Sequence, residues 1–310
     1  MSRSLREAAS APEFTAAFSG DLLWNEPLSK HTYYRIGGPA DLLAIPRSRK
    51  DLEALHGLVQ ATGVPFFVLG AGSNLLVSDK GFRGLVIRTH RMNTGIGQIP
   101  KGCITAGASV MVFSLLKRAS EEGWGGLEFL TGIPGTLGGV VCMNGGTHLG
   151  EAKDALESIE AFDLATGTWR RISHDGFVFS YRHNGFLGPA EVVYETVWRY
   201  KAEPAAAVKG RIDETLARRK ATQPIDKPSC GSVFKNPREA GLHAWQVIEK
   251  LGLRGHRFGE AQFSEKHPNF IINLGKATAA DVRALIDLAK SRAASELGVK
   301  LEEEVKYLGF

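Results

Sequence analysis

The stretch VLGAGSNLLVSDKG (residues 68–81) narrows the possible folds more than any other part of the chain. It leaves a predicted strand, PFFVLG (65–70), through a G-x-G turn at Gly70 and Gly72, which is how a dinucleotide-binding fingerprint begins. The third glycine of that fingerprint is missing, since Leu75 stands there, and LLVSD (75–79) reads as strand and turn where a Rossmann unit requires a helix. A second loop, GIPGTLGGVVCMNGG (132–146), holds six glycines in fifteen residues and lacks the Lys-Ser/Thr pair of a P-loop. Both loops nonetheless offer backbone N–H groups that no side chain shields, where an anion such as a pyrophosphate can approach closely. The alternative is a pair of tight turns where chain segments cross.

Around these loops, strands and helices mix without a regular β-α alternation. Residues 5–18 read as a short helix or a loose tail. ADLLAIP (40–46) reads as a strand and 50–61 as a helix with Leu52, Leu55 and Val59 on one face and Gly63 as its stop. GLVIR (84–88) and CITAGA (103–108) read as strands, 110–122 as a helix ending at Gly123, and LESIEAFDLATGTWRRI (156–172) as a hairpin turning at Thr166-Gly167. The strand EVVYETVWRY (191–200) is followed by a break at KAEPAAAVKG (201–210), then a helix to about Lys220. Further helices are expected over 242–251, before Gly252, and over 279–297, where Thr278 and Asp281 make a capping box. Strands NFIINL (269–274) and EEVKYL (303–308) flank the last helix. The expected organisation is a helix or tail over 1–20, a larger domain over 21–200 and a smaller α+β domain over 205–310.

At 310 residues the chain is long for a single core, and 43% hydrophobic with 23% charged residues is an ordinary globular balance. The net charge of +5 is scattered, with Arg218, Arg219 and Lys220 as its densest cluster and no run of five or six Lys/Arg; an anionic small substrate accounts for it equally well, and no nucleic acid partner is expected. Cys103, Cys142 and Cys230 are far apart and form no C-x-x-C pair, which favours neither disulfides nor zinc and fits a reducing cytoplasm. None of the nine histidines has metal-ligand spacing, so no metal is expected; His267, in KHPNF, either lines a site or is an ordinary core or surface residue. No stretch approaches the roughly 18 apolar residues of a membrane span, and the first twenty residues lack the apolar core of a signal peptide, so no membrane partner is expected. The stretch KPSCGSVFKNP (227–237) sets Cys230 two positions before Ser232, and the spacing alone does not say which serves chemistry.

Seven blocks in order then carry a resemblance. TYYRIGGPADLL, LGAGSNLLVSDKGFRGLVIR, LEFLTGIPGTLGGVVCMNGG, FSYRHNGF, CGSVFKNP, EKHPNFIIN and LEEEVKYLG, together covering roughly residues 21 to 309, resemble the UDP-N-acetylenolpyruvoylglucosamine reductase (UDP-N-acetylmuramate dehydrogenase) family of peptidoglycan synthesis. The resemblance implies an α+β architecture: a two-lobed FAD-binding domain of the vanillyl-alcohol oxidase type, with lobes at about 21–90 and 91–200, followed by the smaller substrate-binding domain. Gly70, Ala71, Gly72, Ser73 and Asn74 match the family's first FAD loop, and Gly132, Ile133, Pro134, Gly135, Gly138 and Gly139 its second.

In the implied reaction NADPH reduces FAD, and the reduced flavin gives hydride to the enolpyruvyl group of the sugar nucleotide. Cations or donors must then stabilise the enolate-like charge while a positioned acid protonates the carbon beside the ether oxygen. By resemblance Ser232 is that acid, Arg182 contacts the substrate carboxylate, and Glu304 is the second catalytic acid group, with its register open among Glu302, Glu303 and Glu304. Cys230 is left to packing. Arg219 and Asn236 match positions contacting the nucleotide sugar, and Lys235 lies beside Ser232 in sequence. Thr222 precedes Gln223-Pro224 where many relatives carry a lysine, which leaves the diphosphate partner open. The short span between residues 200 and 205 points to the class without the extra tyrosine-bearing loop. The implied protein is a cytoplasmic monomer serving cell-wall biogenesis, cell shape, cell cycle and division. Competing readings are another FAD oxidoreductase of this fold, or a nucleotide-sugar binding protein without catalysis; Ser232, Arg182 and Glu304 together argue against the latter.

Overall fold

Capping chemistry sets the helices where the sequence signals them. Ser48 and Asp51 form a capping box at the start of helix Arg49–Thr62, which Gly63 ends in a left-handed conformation (φ 64°). Thr278 and Asp281 do the same for Ala279–Leu297, ended by Gly298 (φ 64°). The computed structural model describes residues 4–310, which pack as two compact units. The division follows packing and not order along the chain. One unit holds residues up to Trp24, Leu42–Ala71 and Gly84–Ala217; the other holds Asn25–Asp41, Gly72–Arg83 and Arg218–Phe310.

The first unit has two cores. One lies around a four-stranded sheet in the order Asp21–Pro27, Pro39–Ile45, Phe82–Arg88, Phe66–Leu69. Helix Arg49–Thr62 turns Leu52, Leu55, Leu58 and Val59 into it, at the spacing of one helix face. Of the N-terminal segment, residues 1–3 lie outside the described residues; the rest forms helices Leu5–Ala9 and Pro12–Ala17, whose Ala8, Ala9 and Phe14 join this core. Asp51 is fully buried because its carboxylate accepts from Ser19 N (2.6 Å), Arg47 N (2.7 Å) and Ser48 N (3.0 Å).

The other core lies under a five-stranded antiparallel sheet, in the order Thr168–Ser173, Leu156–Asp163, Glu191–Arg199, Cys103–Gly107, Ile96–Ile99. Trp124 and Trp198 are its largest buried side chains. The helix expected from residue 110 starts at Val112 instead, because Val110 O accepts from Leu137 N (3.0 Å) and Met111 bridges Thr136. Residues 201–202, read as a break, form a short strand paired with Trp124–Gly125 before helix Ala205–Thr222.

The second unit is built on an antiparallel sheet in the order Ser229–Ser232, Phe270–Asn273, Ala261–Phe263, Arg257–Phe258. Helices Ala244–Lys250 and Ala279–Leu297 share its core, as do Tyr34, Ile36 and Leu76 from the early segments. Leu75–Val77 pairs in parallel with Lys306–Leu308, so the strand following the first glycine turn is tied to the end of the chain. Asp79, just beyond it, accepts from Ala279 N (2.8 Å) and Ala280 N (3.1 Å), giving the last helix a second carboxylate at its N-terminus. Mixed helix and strand in both units make the fold α+β.

Candidate functional site

The two glycine loops meet at Thr136. A Cβ built on Gly70 would come 2.9 Å from Thr136 Oγ1 and meet nothing else within 4 Å, and one on Gly139 would meet only that same oxygen, at 3.6 Å. Gly70 is thus kept small by the Thr136 hydroxyl, whereas Gly139 is exposed and leaves bare a stretch of backbone that a larger residue would cover. The remaining glycines have other reasons. Gly138 N donates to Ala108 O (2.9 Å), and a Cβ there would crowd Ala108 Cβ at 3.2 Å, so its smallness serves packing. Gly72 has φ +68°, and a Cβ would collide with His31 O and approach Thr32 Cα at 3.0 Å. Gly132 and Gly135 shape the second loop, whose Gly135 O accepts from Val112 N (2.9 Å), while Ile133 packs against the core and Pro134 is exposed. Ala71 and Ser73 are half-buried. Asn74 links backbone on both sides: its Nδ2 donates to Glu304 O (3.1 Å), and its own O accepts from Lys306 N (3.1 Å). Backbone left uncovered at Gly139 suits the close approach of an anionic group such as a pyrophosphate.

Arg182 stands in the first unit, at the tip of the hairpin formed by Phe179–Ser180 and His183–Asn184. Its φ is +57°, a left-handed conformation that costs a non-glycine residue about 1–2 kcal/mol and persists only where the surroundings impose it. Three contacts impose it. Arg182 Nη1 donates to Gly146 O (3.3 Å), Asn184 Nδ2 donates to Cys142 O (2.7 Å), and Asn144 Nδ2 donates to Ser180 O (3.2 Å). Asn144 is fully buried and also bonds Glu151 Oε2 (2.9 Å) and Lys153 N (3.2 Å). Sequence reasoning passed over Asn144 and Asn184, although both lie inside the resemblance-bearing stretches CMNGG and RHNGF; a polar amide among glycines was the available signal.

Ser232, Lys235, Asn236, Arg219 and Glu304 all belong to the second unit. The segment after Ser232 runs between two others. On one side Val233 N donates to Asn269 O (2.8 Å), and the buried Asn269 side chain clamps Phe234, accepting from its N (3.0 Å) and donating to its O (2.9 Å). On the other, Glu304 N donates to Val233 O (2.8 Å) and Lys235 N to Glu302 O (2.9 Å). Ser232 and Glu304 are thus brought onto neighbouring segments, and Asn269 is a further residue that the sequence reading missed.

The three glutamates differ. Glu302 is exposed and pairs with Lys235 (3.7 Å) and Lys300 (3.8 Å). Burial works against the charged form of Glu303, yet the Lys290 ammonium at 2.7 Å holds its carboxyl below the usual range. Glu304 is half-buried beside Cys230. The Cys230 thiol is pushed up to about 12, by burial first and by the Glu304 charge in addition, so it is no nucleophile at neutral pH. Asn236 Oδ1 accepts from Ala244 N (3.0 Å) at the start of helix Ala244–Lys250. Arg219 lies near the end of helix Ala205–Thr222; burial, then the charges of Arg254 and Arg219, hold His267 below its ordinary value. Among the described residues no three His, Cys, Asp or Glu side chains gather as a metal site, and no helix is long and apolar enough to cross a membrane.

Comparison with known proteins shows the family to which the chain belongs. Residues 40–173 match the model of an FAD binding domain, and residues 223–308 that of the UDP-N-acetylenolpyruvoylglucosamine reductase C-terminal domain. The UDP-N-acetylenolpyruvoylglucosamine reductase of Moorella thermoacetica is 43% identical over 301 residues, 97% of this chain and 98% of that one. That of Heliobacterium modesticaldum is 40% identical over 96% of this chain and 94% of its own. The crystal structure of the Thermus caldophilus reductase superposes with a TM-score of 0.78 at 35% identity, covering 94% of this chain and 99% of that one. Gly70 and Gly139 both fall within the residues matched to an FAD binding domain. The chain belongs to the UDP-N-acetylenolpyruvoylglucosamine reductase family, FAD-dependent oxidoreductases of peptidoglycan synthesis.

Proposed function

We propose that this chain reduces the enolpyruvyl ether of UDP-N-acetylenolpyruvoylglucosamine to UDP-N-acetylmuramate at the expense of NADPH, with Ser232 as the proton donor. Bound FAD supplies the hydride. Residues Gly70 to Asn74 and Gly132 to Gly139 would hold that cofactor, and the uncovered backbone at Gly139 suits its pyrophosphate. Arg182 orients the substrate carboxylate through its planar fork and takes up the negative charge that develops there. Ser232 Oγ gives its proton to the carbon beside the ether oxygen. A serine hydroxyl is a weak acid, so a nearby cation is required. Lys235, three residues along the chain, is the candidate.

The observation carrying this reading is the mount of Ser232: its segment is held on one side by Asn269 and on the other by the Glu304 segment, at 2.8 Å in each case. Glu304 is taken as the second acid group because its backbone N–H donates to Val233 O, which sets its segment beside Ser232. Arg219 and Asn236 contact the sugar nucleotide, and Arg219 with Arg254 is offered as the diphosphate partner in place of a lysine at Thr222. The direct run from Glu191–Arg199 through Lys201–Ala202 into helix Ala205–Thr222 supports the class without the tyrosine-bearing loop. A cytoplasmic monomer is the proposed working form. Stopped-flow reoxidation tests the function: protein reduced with NADPH should be reoxidised rapidly by the sugar nucleotide, and reduced flavin that ignores it would refute the proposal.

A further inference from the structure

Cys230 and Val233 are both buried in the core of the second unit, at 3% and 0% exposure, yet they are three residues apart. Side chains of a regular strand alternate, so residues separated by three cannot share a face. The register resolves the conflict. Ser229 pairs with Ile272 and Ser232 pairs with Phe270, so three steps along one strand match two along its partner. The Cys230–Gly231 segment therefore carries one extra residue opposite Ile271, a β-bulge, and Gly231 has φ +81°.

Paired residues lie on one face of a sheet. Ile271 belongs to the core face together with Phe263, with which it pairs, whereas Ile272 and Phe270 point to the other side. Cys230 consequently faces the core while Ser229 and Ser232 share the outer face. With no bulge, Ser232 would be one step further in register and would carry its hydroxyl into the same apolar core as Cys230. A serine there buries an unpaired hydroxyl and has no route to a substrate.

We infer that Gly231 is the positioning residue for Ser232: its left-handed conformation holds the bulge that turns the serine out of the core. The inference rests on the reading of Ser232 as proton donor for its functional meaning, and on register alone for its geometry. Space is not the constraint, because a Cβ at Gly231 would meet nothing within 4 Å. Backbone conformation is. Asparagine tolerates a left-handed φ and a β-branched residue does not, so Gly231→Asn and Gly231→Val separate conformation from size.

Geometry is read first with Ser232→Cys, whose introduced thiol is followed by iodoacetamide labelling and peptide mass mapping. Adding Gly231→Val should slow labelling at that position at least about tenfold, whereas adding Gly231→Asn should leave it within about threefold. In the protein with Ser232 intact, Gly231→Val should slow reoxidation by the sugar nucleotide at least about tenfold and leave reduction by NADPH within about twofold, with Gly231→Asn largely restoring it. Equal labelling in the Val and Asn variants, or equal slowing of both half-reactions, would overturn the inference. Normal reoxidation by Ser232→Ala would instead remove the proton-donor reading, so the two failures are told apart.

Discussion

Asn144→Ala is expected to loosen the Arg182 hairpin at a cost that the structure allows to be worked out. The fully buried amide donates to the Glu151 carboxylate at 2.9 Å and to Ser180 O at 3.2 Å, and accepts from Lys153 N at 3.2 Å. A neutral bond contributes about 1 kcal/mol net and one to a charged group about 2, so the three together come to about 4 kcal/mol. Asn144 also has φ +42°, where alanine is less at ease than asparagine, which adds to the loss. Urea unfolding, followed through the transition of the unit that contains residue 144, measures the sum. Asn144→Asp should fare no better than alanine, since it keeps the acceptor for Lys153 N but sets a second carboxylate against Glu151. The functional counterpart is a raised KM for the sugar nucleotide, because Arg182 loses one of the contacts that hold its turn. A loss below about 1 kcal/mol with an unchanged KM would refute the reasoning.

Gly139 and Gly72 respond to substitution in opposite ways. Gly139→Ala should leave the apoprotein as stable as wild type, since only Thr136 Oγ1 lies near, but weaken FAD binding at least about tenfold in a fluorescence titration. Gly72→Ala should destabilise the apoprotein itself, through its φ of +68° and the collision with His31 O; equal stability of the two variants would contradict both assignments. His267 supplies a pH signature. Burial with Arg254 and Arg219 nearby lowers its pKa below 6.5, so the unfolded chain binds the extra proton. Its contribution is complete above pH 6.5 and is lost as pH falls through the lower folded pKa; His267→Gln should flatten stability over that window.

Much of this was legible from sequence where a local rule acts alone. The helix 279–297 has the expected bounds because Thr278, Asp281 and Gly298 are self-sufficient caps. LLVSD forms a strand at Leu75–Val77 and not a helix, which removes the Rossmann reading of Gly70 and Gly72. Legibility failed where long-range partners decide. The helix start at Val112 depends on residues 136 and 137, the grouping of 72–83 with the C-terminal segment on pairing between Leu75–Val77 and Lys306–Leu308, and that of 25–41 on the burial of Tyr34 and Ile36 in its core. The bulge at Gly231 is invisible in CGSVF until the partner strand supplies a register. Cys230 and Ser232 look equally available in sequence, and only burial separates the inert thiol from the half-exposed hydroxyl.

Hydrogen arriving in two separately controlled steps is the centre of this account, and Ser232→Ala in a stopped-flow spectrometer separates those steps. Reduction of its flavin by NADPH should proceed within about twofold of wild type, while reoxidation by UDP-N-acetylenolpyruvoylglucosamine should slow at least about a hundredfold, the typical loss of a general acid. Reoxidation at the wild-type rate would contradict the account.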